Sequence, residues 1–366
     1  MRILYDHQAF TGQRYGGVAR YFHDLMESLS EMGVDIALSL QFSNNEYLKN
    51  SSVRKPQQFR NIFGFMPTNM LVSRTNRVNS IFQIQRGNYD IFHPTFFHNY
   101  FLKHLDNKPF VLTYHDCIKE RFNLQHLDNA NQTQKQELLD KATKIIAVSE
   151  NTKIDLQKFY QINADKIDVV HHSTSFVNHQ QPHNYHLKTP EKFILYVGAR
   201  NDYKNFDTLL KSLVSVFKKN PSVQLVCAGG GNFTETEKQL IHDLKIENNV
   251  VHLNFHSDNT LYELYKRAIA FVYPSLYEGF GIPILEAFAC GCPVVLSNSS
   301  CFPEVAQEAA LYFEPTQQGD ISEKINQIIN DDTLRKSLIS KGFVRQKDFS
   351  TDKKAQQTLA VYQSVL

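Results

Sequence analysis

Short apolar runs of strand length alternate with amphipathic helical stretches from the start of the chain. Ile3–Tyr5 begins a strand, the apolar residues after Gly17 recur at helical spacing, and the run Val34–Leu40 forms the next strand. This alternation predicts a parallel sheet with helices on both faces and right-handed crossovers. Further strands are predicted at 89–92, 110–114, 144–148 and 166–170.

The alternation is interrupted at 173–190 by a polar, proline-containing stretch typical of a linker, and then begins again. The second series of strands is predicted at 193–197, 223–228, 250–253, 270–273, 293–296 and 311–313. A chain of 366 residues also exceeds what one hydrophobic core usually serves. We therefore predict an N-terminal domain at 1–172, a linker at 173–190, a C-terminal domain at 191–345 and a final helix within 346–366 that packs back toward the first domain.

Composition excludes several classes of function. A net charge of +2 lacks the strong basic excess expected of a nucleic-acid-binding protein. The 5 cysteines include no Cys-x-x-Cys pair, which favours a reducing compartment and argues against zinc. The chain shows neither a signal-peptide pattern at its first residues nor an apolar run long enough to cross a bilayer. We expect a cytoplasmic enzyme, with peripheral contact at the inner face of a membrane left open.

The segment from Pro274 to Glu286 has the pattern of a strand end, a glycine turn and a helix with proline in its first turn. Main-chain N–H groups at 279–282 would lie at the positive end of the helix dipole, where they could receive phosphate or sugar oxygens. Glu278 and Glu286 flank this turn and could accept hydrogen bonds from hydroxyl groups. Taken alone, the same pattern suits a surface turn with two solvated glutamates.

A second strand-to-helix junction, Val197–Asn205, carries Arg200 and Lys204. A forked guanidinium and a point-charge ammonium suit the oxygens of a diphosphate. The sequence offers neither an Asp-x-Asp pair nor a His/Cys cluster with ligand spacing, so we expect neither a metal ion nor a cofactor. On spacing alone, both cations could equally be surface charge.

Together these stretches resemble glycosyltransferase family 4, the retaining enzymes of the GT-B fold, over most of the chain. The shared motifs include Tyr15-Gly16-Gly17, His115-Asp116, Tyr196-Val-Gly198 with Arg200 and Lys204-Asn205, the segment from Glu278 to Glu286, and Cys290-Gly-Cys-Pro-Val-Val. The resemblance implies an α/β architecture of two Rossmann-like, doubly wound domains that face each other across a cleft. The chain departs from the family at His172–Ser173, where a glycine usually follows the histidine that ends the last strand of the first domain.

The resemblance also implies roles for individual residues. Arg200 and Lys204 would bind the diphosphate, Glu286 the ribose hydroxyls and Glu278 the transferred sugar, while His115 would approach that sugar from the first domain. The remaining donor-binding residues implied are Gly16, Gly17, Gly279, Phe280, Gly281 and Ile282. His115 and Glu278 are the candidate catalytic residues, although a histidine after a buried strand is often only a core residue.

The family resemblance implies that the anomeric configuration of the sugar is retained. Retention often requires a carboxylate nucleophile, and the sequence offers no good candidate for one. We therefore favour front-face substitution, in which the leaving diphosphate helps to deprotonate the acceptor. The expected donor is a nucleotide-diphosphate hexose, GDP-mannose first and a UDP-sugar second, and the acceptor is a glycan or lipid-linked saccharide of surface polysaccharide synthesis. The alternatives are an inverting GT-B enzyme or sugar epimerase, and a non-catalytic GT-B subunit. A dehydrogenase is disfavoured because Gly16–Gly17 lacks the Gly-x-Gly-x-x-Gly spacing.

The most polarised part of the chain is the segment 49–86. No acidic residue occurs between Glu46 and Asp90, and the cations in this stretch alternate with large apolar side chains. The cations are Lys49, Arg54, Lys55, Arg60, Arg74, Arg77 and Arg86. Such a mixture suits contact with an anionic membrane surface or a lipid-diphosphate acceptor. A solvated basic helix pair beside the acceptor is an equally good interpretation.

Overall fold

The computed structural model describes residues 1–12, 14–53, 56–57, 68–124, 132–174, 176, 189–200, 202–254 and 257–366. These form two compact units, Met1–His172 with Thr351–Leu366, and Ser173–Ser350. Most of the predicted linker at 173–190 and the part of the basic segment at 54–55 and 58–67 lie outside the described residues.

The first unit contains parallel strands with helices between them, as the alternation predicts. The strands are β1 (Arg2–Tyr5), β2 (Asp35–Leu38), β3 (Ile91–His93), β4 (Val111–Tyr114), β5 (Lys144–Ala147) and β6 (Ile167–Val169). The helices are α1 (Gln8–Thr11), α2 (Gly17–Glu31), α3 (Thr68–Arg86), α4 (Ile118–Arg121), α5 (Gln132–Lys141) and α6 (Glu150–Tyr160). The strands pair in the orders β2-β1-β3 and β4-β5-β6, and a parallel bridge between Phe92 and Phe110 connects the two sets.

Alternate residues of β1 show why helices cover both faces of this sheet. Ile3 and Tyr5 pack into one core with the apolar face of α2, whereas Leu4 packs on the opposite side with Leu138 of α5 and Leu156 of α6. Successive side chains of a strand point to opposite faces, so a strand buried on both sides is apolar throughout. The first unit is therefore doubly wound.

The second unit repeats this design with one continuous sheet. Its strands are β7 (Lys192–Val197), β8 (Val223–Ala228), β9 (Val250–Leu253), β10 (Phe271–Tyr273), β11 (Val294–Ser297) and β12 (Ala310–Phe313). Its helices are α7 (Phe206–Lys219), α8 (Glu235–Asp243), α9 (Asp258–Arg267), α10 (Ile282–Ala289), α11 (Phe302–Ala306), α12 (Gln318–Asn330) and α13 (Asp332–Gln346). All six strands are parallel, and their order across the sheet is β12-β11-β10-β7-β8-β9. Chain order runs outward in opposite directions from the neighbouring strands β7 and β10. Ligands of open α/β sheets collect at the carboxyl ends of the strands beside such a switch point.

The last helix, α14 (Thr351–Gln363), belongs to the first unit and packs against α2. Its Tyr362 hydroxyl lies 2.6 Å from the Tyr5 hydroxyl and 2.6 Å from Nδ1 of His93, so it joins the core beneath β1 and β3. Short 3-10 turns complete the described chain at Tyr47–Asn50, Leu102–His104, Ala164–Lys166, Asp202–Lys204, Glu247–Asn249, Gln307–Ala309 and Lys347–Phe349.

Candidate active site

The glycine turn before α10 has the geometry that its sequence predicts. Gly281 is the N-cap of α10 and adopts a left-handed conformation with φ 92° and ψ 55°. A Cβ at this position would lie 3.0 Å from the side chains of both Ile284 and Phe302. Glycine is required here because it adopts a positive φ without strain and has no Cβ to clash with these two side chains. The turn therefore places the start of α10 at the carboxyl end of β10, where the helix dipole favours anions.

Lys204 and Glu278 are separated by 74 residues and meet at the switch point. Nζ of Lys204 lies 2.5 Å from Oε1 of Glu278, with side-chain exposures of 15% and 9%. Lys204 ends the 3-10 turn that follows β7, and Glu278 follows β10, the neighbouring strand. The fold thus brings the predicted phosphate-binding cation and the predicted sugar-binding acid together in one place.

Asn205, next to Lys204, holds these two loops together. Its side-chain amide donates to the carbonyl of Pro274 at 3.1 Å and to the carbonyl of Pro315 at 2.7 Å, and its backbone is left-handed with φ 58°. Asparagine tolerates this conformation better than most side chains. The sequence shows Asn205 only as part of a motif. It does not reveal this bridging role, because both partners are distant in the chain.

Glu286 lies on α10 and is 8% exposed. Its Oε2 accepts a hydrogen bond of 3.0 Å from the hydroxyl of Tyr265 on α9. Burial raises the pKa of Tyr265 well above its usual value, and the negative charge of Glu286 raises it further. The hydroxyl therefore keeps its proton and remains a donor. Tyr265 thereby fixes one oxygen of Glu286, a role that the sequence alone does not reveal.

Arg200, predicted to bind the diphosphate, forms its hydrogen bonds within the second unit. Its Nε donates to Oε1 of Glu237 at 2.7 Å, and its two Nη atoms donate to carbonyls of the turn that follows β8. The side chain is only 3% exposed. The binding of a diphosphate by this guanidinium, which would exchange some of these partners for phosphate oxygens, stays a prediction.

Gly16 and Gly17 start α2 in the first unit. Gly16 is extended, with φ −177°, a conformation that any residue adopts. A Cβ on Gly17 would meet no atom within 4 Å among the residues that the structure describes. The backbone of Gly16 and the space around Gly17 therefore do not require glycine, and close approach of a ligand to the main chain remains the reason predicted for both residues.

His115 follows β4 in the first unit and stacks on His172, with ring centroids 5.5 Å apart and an angle of 12° between the planes. The Tyr21 ring is nearly perpendicular to both imidazoles, with its centroid 5.0 Å from that of each. Nε2 of His115 is buried and has no hydrogen-bond partner among the residues that the structure describes. Burial lowers the pKa of His115 to about 4. The imidazole is therefore neutral near pH 7, able to form hydrogen bonds but not to act as a cation. From the sequence, His172 is recognisable only as a departure from the pattern of the family that the chain resembles.

The described part of the basic segment is mainly α3, which exposes apolar side chains between cations. Met70, Val78 and Phe82 are 56%, 67% and 56% exposed. Arg77 instead points inward, with Nη2 3.1 Å from Nε2 of His98 and its guanidinium 5.6 Å from the centre of the Tyr100 ring. The described part of the chain contains no helix with the length and hydropathy needed to span a bilayer. Nor do its His, Cys, Asp and Glu side chains form a group of three that could hold a metal ion.

Two family models match the chain. Residues 15–174 match the model described as Glycosyltransferase Family 4, and residues 178–345 match the model described as Glycosyl transferases group 1. The chain is 31% identical over 235 residues to O-antigen chain mannosyltransferase B of Escherichia coli, across 62% of each protein. It is 33% identical over 174 residues to O-antigen chain mannosyltransferase RfbU of Salmonella typhimurium, across 48% of this chain and 47% of that protein. Each match thus spans less than two thirds of the relative.

Solved structures share the fold. HepE of Anabaena, crystallised in complex with UDP-glucose, superposes with a TM-score of 0.75 at 18% sequence identity, and the match covers 100% of both chains. At this identity the likeness concerns the architecture alone. Both the doubly wound units and their order along the chain therefore have a counterpart among known structures.

Proposed function

Because the chain belongs to the glycosyltransferases that the family 4 and group 1 models describe, we propose that it is a retaining hexosyltransferase of surface polysaccharide synthesis. The donor proposed first is GDP-mannose, since both relatives described above are named O-antigen mannosyltransferases. A UDP-hexose is the second candidate, since HepE was crystallised with UDP-glucose. The acceptor proposed is a glycan or lipid-linked saccharide.

The contact between Lys204 and Glu278 is the observation that carries this proposal. It places a cation and an acid 2.5 Å apart at the carboxyl ends of β7 and β10, beside the start of α10. A diphosphate oxygen would take the place of Glu278 as the partner of Lys204, and the released carboxylate would accept a hydrogen bond from a sugar hydroxyl. Glu286, oriented by Tyr265, would accept hydrogen bonds from the ribose.

We propose front-face substitution as the mechanism. The bond between the anomeric carbon and the diphosphate oxygen breaks, the acceptor oxygen bonds to the anomeric carbon on the same face, and the acceptor proton moves to the leaving diphosphate. Lys204 and the N-terminus of α10 stabilise the negative charge that develops on the leaving group, without a metal ion. Neutral His115, with Gly16 and Gly17 of the first unit, is proposed to hydrogen-bond the donor.

Incubation with a panel of nucleotide sugars tests the proposal. The expected result is slow release of nucleoside diphosphate from one donor, accelerated by an acceptor, with the anomeric configuration of the product retained by NMR. Lys204→Met should lower kcat/KM by about 100-fold or more, in line with the loss of a transition-state charge interaction. Lys211→Met, at an exposed position of α7, is the matched control and should act like the wild type.

The other functional classes give different results in the same assay. An inverting enzyme would give the opposite anomer, and an epimerase would convert the sugar nucleotide without an acceptor. A non-catalytic subunit would release no nucleoside diphosphate from any donor. Any of these three outcomes overturns the proposal.

We also propose that one face of α3 contacts an anionic membrane surface. Met70, Arg74, Val78, Phe82 and Arg86 recur every fourth residue, and all five are exposed. Such a row of apolar and cationic side chains suits a helix that lies at the headgroup level. The competing proposal is that the same residues of α3 bind the acceptor, which requires no contact with lipid.

Sedimentation with vesicles separates these two roles. The protein should bind phosphatidylglycerol vesicles and not phosphatidylcholine vesicles, and the double variant Arg74→Glu/Arg86→Glu should lose that binding. Lys103→Glu, which reverses an exposed cation outside α3, should not. If the wild-type protein does not bind anionic vesicles, the membrane role is contradicted and the role of α3 as an acceptor-binding face is favoured.

A further inference from the structure

A buried chain of hydrogen bonds crosses the first unit from α14 to β4. The Tyr362 hydroxyl lies 2.6 Å from the hydroxyl of Tyr5 and 2.6 Å from Nδ1 of His93. On the other side of the imidazole, Nε2 of His93 lies 3.0 Å from Oγ1 of Thr113. All four residues are at most 4% exposed. Because bulk water does not reach these groups, each of them depends on its neighbours in the chain for hydrogen bonds.

The protonation states give this chain a single direction. Burial lowers the pKa of His93 to about 3, so the imidazole is neutral near pH 7 and carries one N–H group. One of its nitrogens therefore donates while the other accepts. Burial raises the pKa of Tyr362, so its hydroxyl keeps one hydrogen and donates it to only one of its two partners. The Tyr362 hydroxyl thus determines the tautomer of His93, and the tautomer determines whether Thr113 accepts or donates.

The chain ends beside His115. Thr113 lies on β4, two residues before His115. Its Oγ1 is also 3.4 Å from the hydroxyl of Tyr21, which stays protonated because burial raises the pKa of Tyr21 to about 12. The ring of Tyr21 in turn packs nearly perpendicular to that of His115, with the two centroids 5.0 Å apart. A change in the hydrogen bonds of Thr113 therefore reaches a ring that contacts His115 directly.

Ring contacts hold the imidazole of His115 in place. His172 stacks on it with centroids 5.5 Å apart, and the centroid of Phe22 lies 6.2 Å away. Phe22 also packs against His93, with centroids 5.2 Å apart. Nε2 of His115 has no hydrogen-bond partner among the described side chains. The direction of this nitrogen therefore depends on the packing of the neighbouring rings, which His93 supports through both Thr113 and Phe22.

We propose that Tyr362 is a positioning residue for His115. Its hydroxyl orients His93, and His93 orients Thr113. Through Thr113 the chain fixes the Tyr21 ring, against which His115 packs. The last helix thereby sets the direction in which His115 offers its hydrogen bond. This inference rests on the proposed function, in which neutral His115 hydrogen-bonds the donor.

A double-mutant cycle of Tyr362→Phe and His115→Ala tests this role. Tyr362→Phe keeps the ring and removes the hydroxyl. The rate of nucleoside diphosphate release at saturating donor and acceptor should fall about tenfold, because small errors in the orientation of a catalytic group are costly. In the His115→Ala protein the same substitution should change that rate by less than about twofold, since the group that Tyr362 positions is absent. A destabilised first unit would instead lower the rate by similar factors in both backgrounds.

Tyr5→Phe is the matched control. It removes the bond between the two hydroxyls but leaves the bond between Tyr362 and His93. Both substitutions cost the folded state a buried hydrogen bond, so urea unfolding should show a loss of stability in each variant. Only Tyr362→Phe should lower the rate of transfer. Equal losses of rate in the two variants, or a loss in Tyr362→Phe that persists in the His115→Ala background, overturn the positioning role alone.

Nitrogen NMR of the imidazoles reports on the chain without any turnover. In the wild type, His93 should show the shifts of one tautomer, with one protonated and one unprotonated nitrogen. In Tyr362→Phe these shifts should move toward the average of two tautomers, whereas in Tyr5→Phe they should stay. Identical His93 shifts in the wild type and Tyr362→Phe contradict the chain, whatever the activity. A wild type with the predicted shifts that releases no nucleoside diphosphate from any donor overturns the proposed function instead, and the positioning role with it.

Discussion

Lys354 on α14 offers a quantitative test of how the last helix is held in the first unit. The side chain is 3% exposed, and its Nζ lies 5.2 Å from the centre of the Tyr21 ring. The pKa of Lys354 is lowered from 10.5 to about 8, mainly by burial. The negative charge of Asp24 opposes this shift, and the positive charge of Arg20 adds to it. At about 1.4 kcal/mol per pH unit, a charged Lys354 costs the folded state about 3 kcal/mol.

The sign of the pH dependence follows from which state binds the proton. Between pH 8 and 10.5 the unfolded chain holds the Lys354 proton and the folded chain does not. The free energy of unfolding therefore rises with pH across this window, and the whole penalty is present below pH 8. The cation–π contact with Tyr21, worth about 1 kcal/mol, offsets part of it.

Lys354→Met should accordingly unfold with a free energy about 2 kcal/mol higher than that of the wild type near pH 7, and this gain should disappear toward pH 10.5. Urea unfolding of both proteins at several pH values measures the difference, in which the effects of all other titrating groups cancel. Lys353→Met, at the exposed neighbouring position, controls for the loss of a charge. If Lys354→Met is less stable than the wild type at pH 7, by an amount that does not vary with pH, the buried charge is compensated and the reasoning fails.

Two further predictions concern backbone and protonation. Gly281→Ala should destabilise the second unit by about 1–3 kcal/mol and lower transfer activity, because the residue has φ 92° and its Cβ would be 3.0 Å from two side chains. Gly319 lies on α12, and a Cβ there would meet no described residue within 4 Å, so Gly319→Ala should be neutral or stabilising in the same thermal unfolding assay. Equal effects of the two substitutions would contradict the backbone strain at Gly281. Because the pKa of His115 is about 4, the ratio of kcat/KM between wild type and His115→Gln should stay constant from about pH 5.5 to 8. A change in that ratio with a midpoint near 6.5 would show that a protonated imidazole is involved.

Local patterns in the sequence predict much of this fold. Strand and helix alternation is set by residues close in the chain, so β1, α2 and β2 form where the apolar spacing places them. The turn at Gly281 is predicted for the same reason, since a strand end, a glycine and a proline follow one another directly. Loops at the carboxyl ends of parallel strands share one edge of the sheet, and this brings Lys204 to Glu278.

Side-chain partners at long range are what the sequence does not reveal. The spacing of Arg200 and Lys204 predicts a cation pair, yet the partners of Arg200 lie between Gly229 and Glu237. No local pattern shows that the carbonyls of Gly229, Gly231 and Asn232 accept hydrogen bonds from that side chain. The sequence does not single out His172 and Tyr265 for a similar reason, because their contacts with His115 and Glu286 form only in the folded chain.

The most direct test of the proposed donor site is a crystal structure of the protein with the nucleotide sugar that the donor panel selects. Nζ of Lys204 should have left Glu278 and lie about 3 Å from a diphosphate oxygen, with the Glu278 carboxylate at a similar distance from a hydroxyl of the sugar. A nucleotide sugar bound elsewhere, with the pair between Lys204 and Glu278 intact, would contradict the assignment.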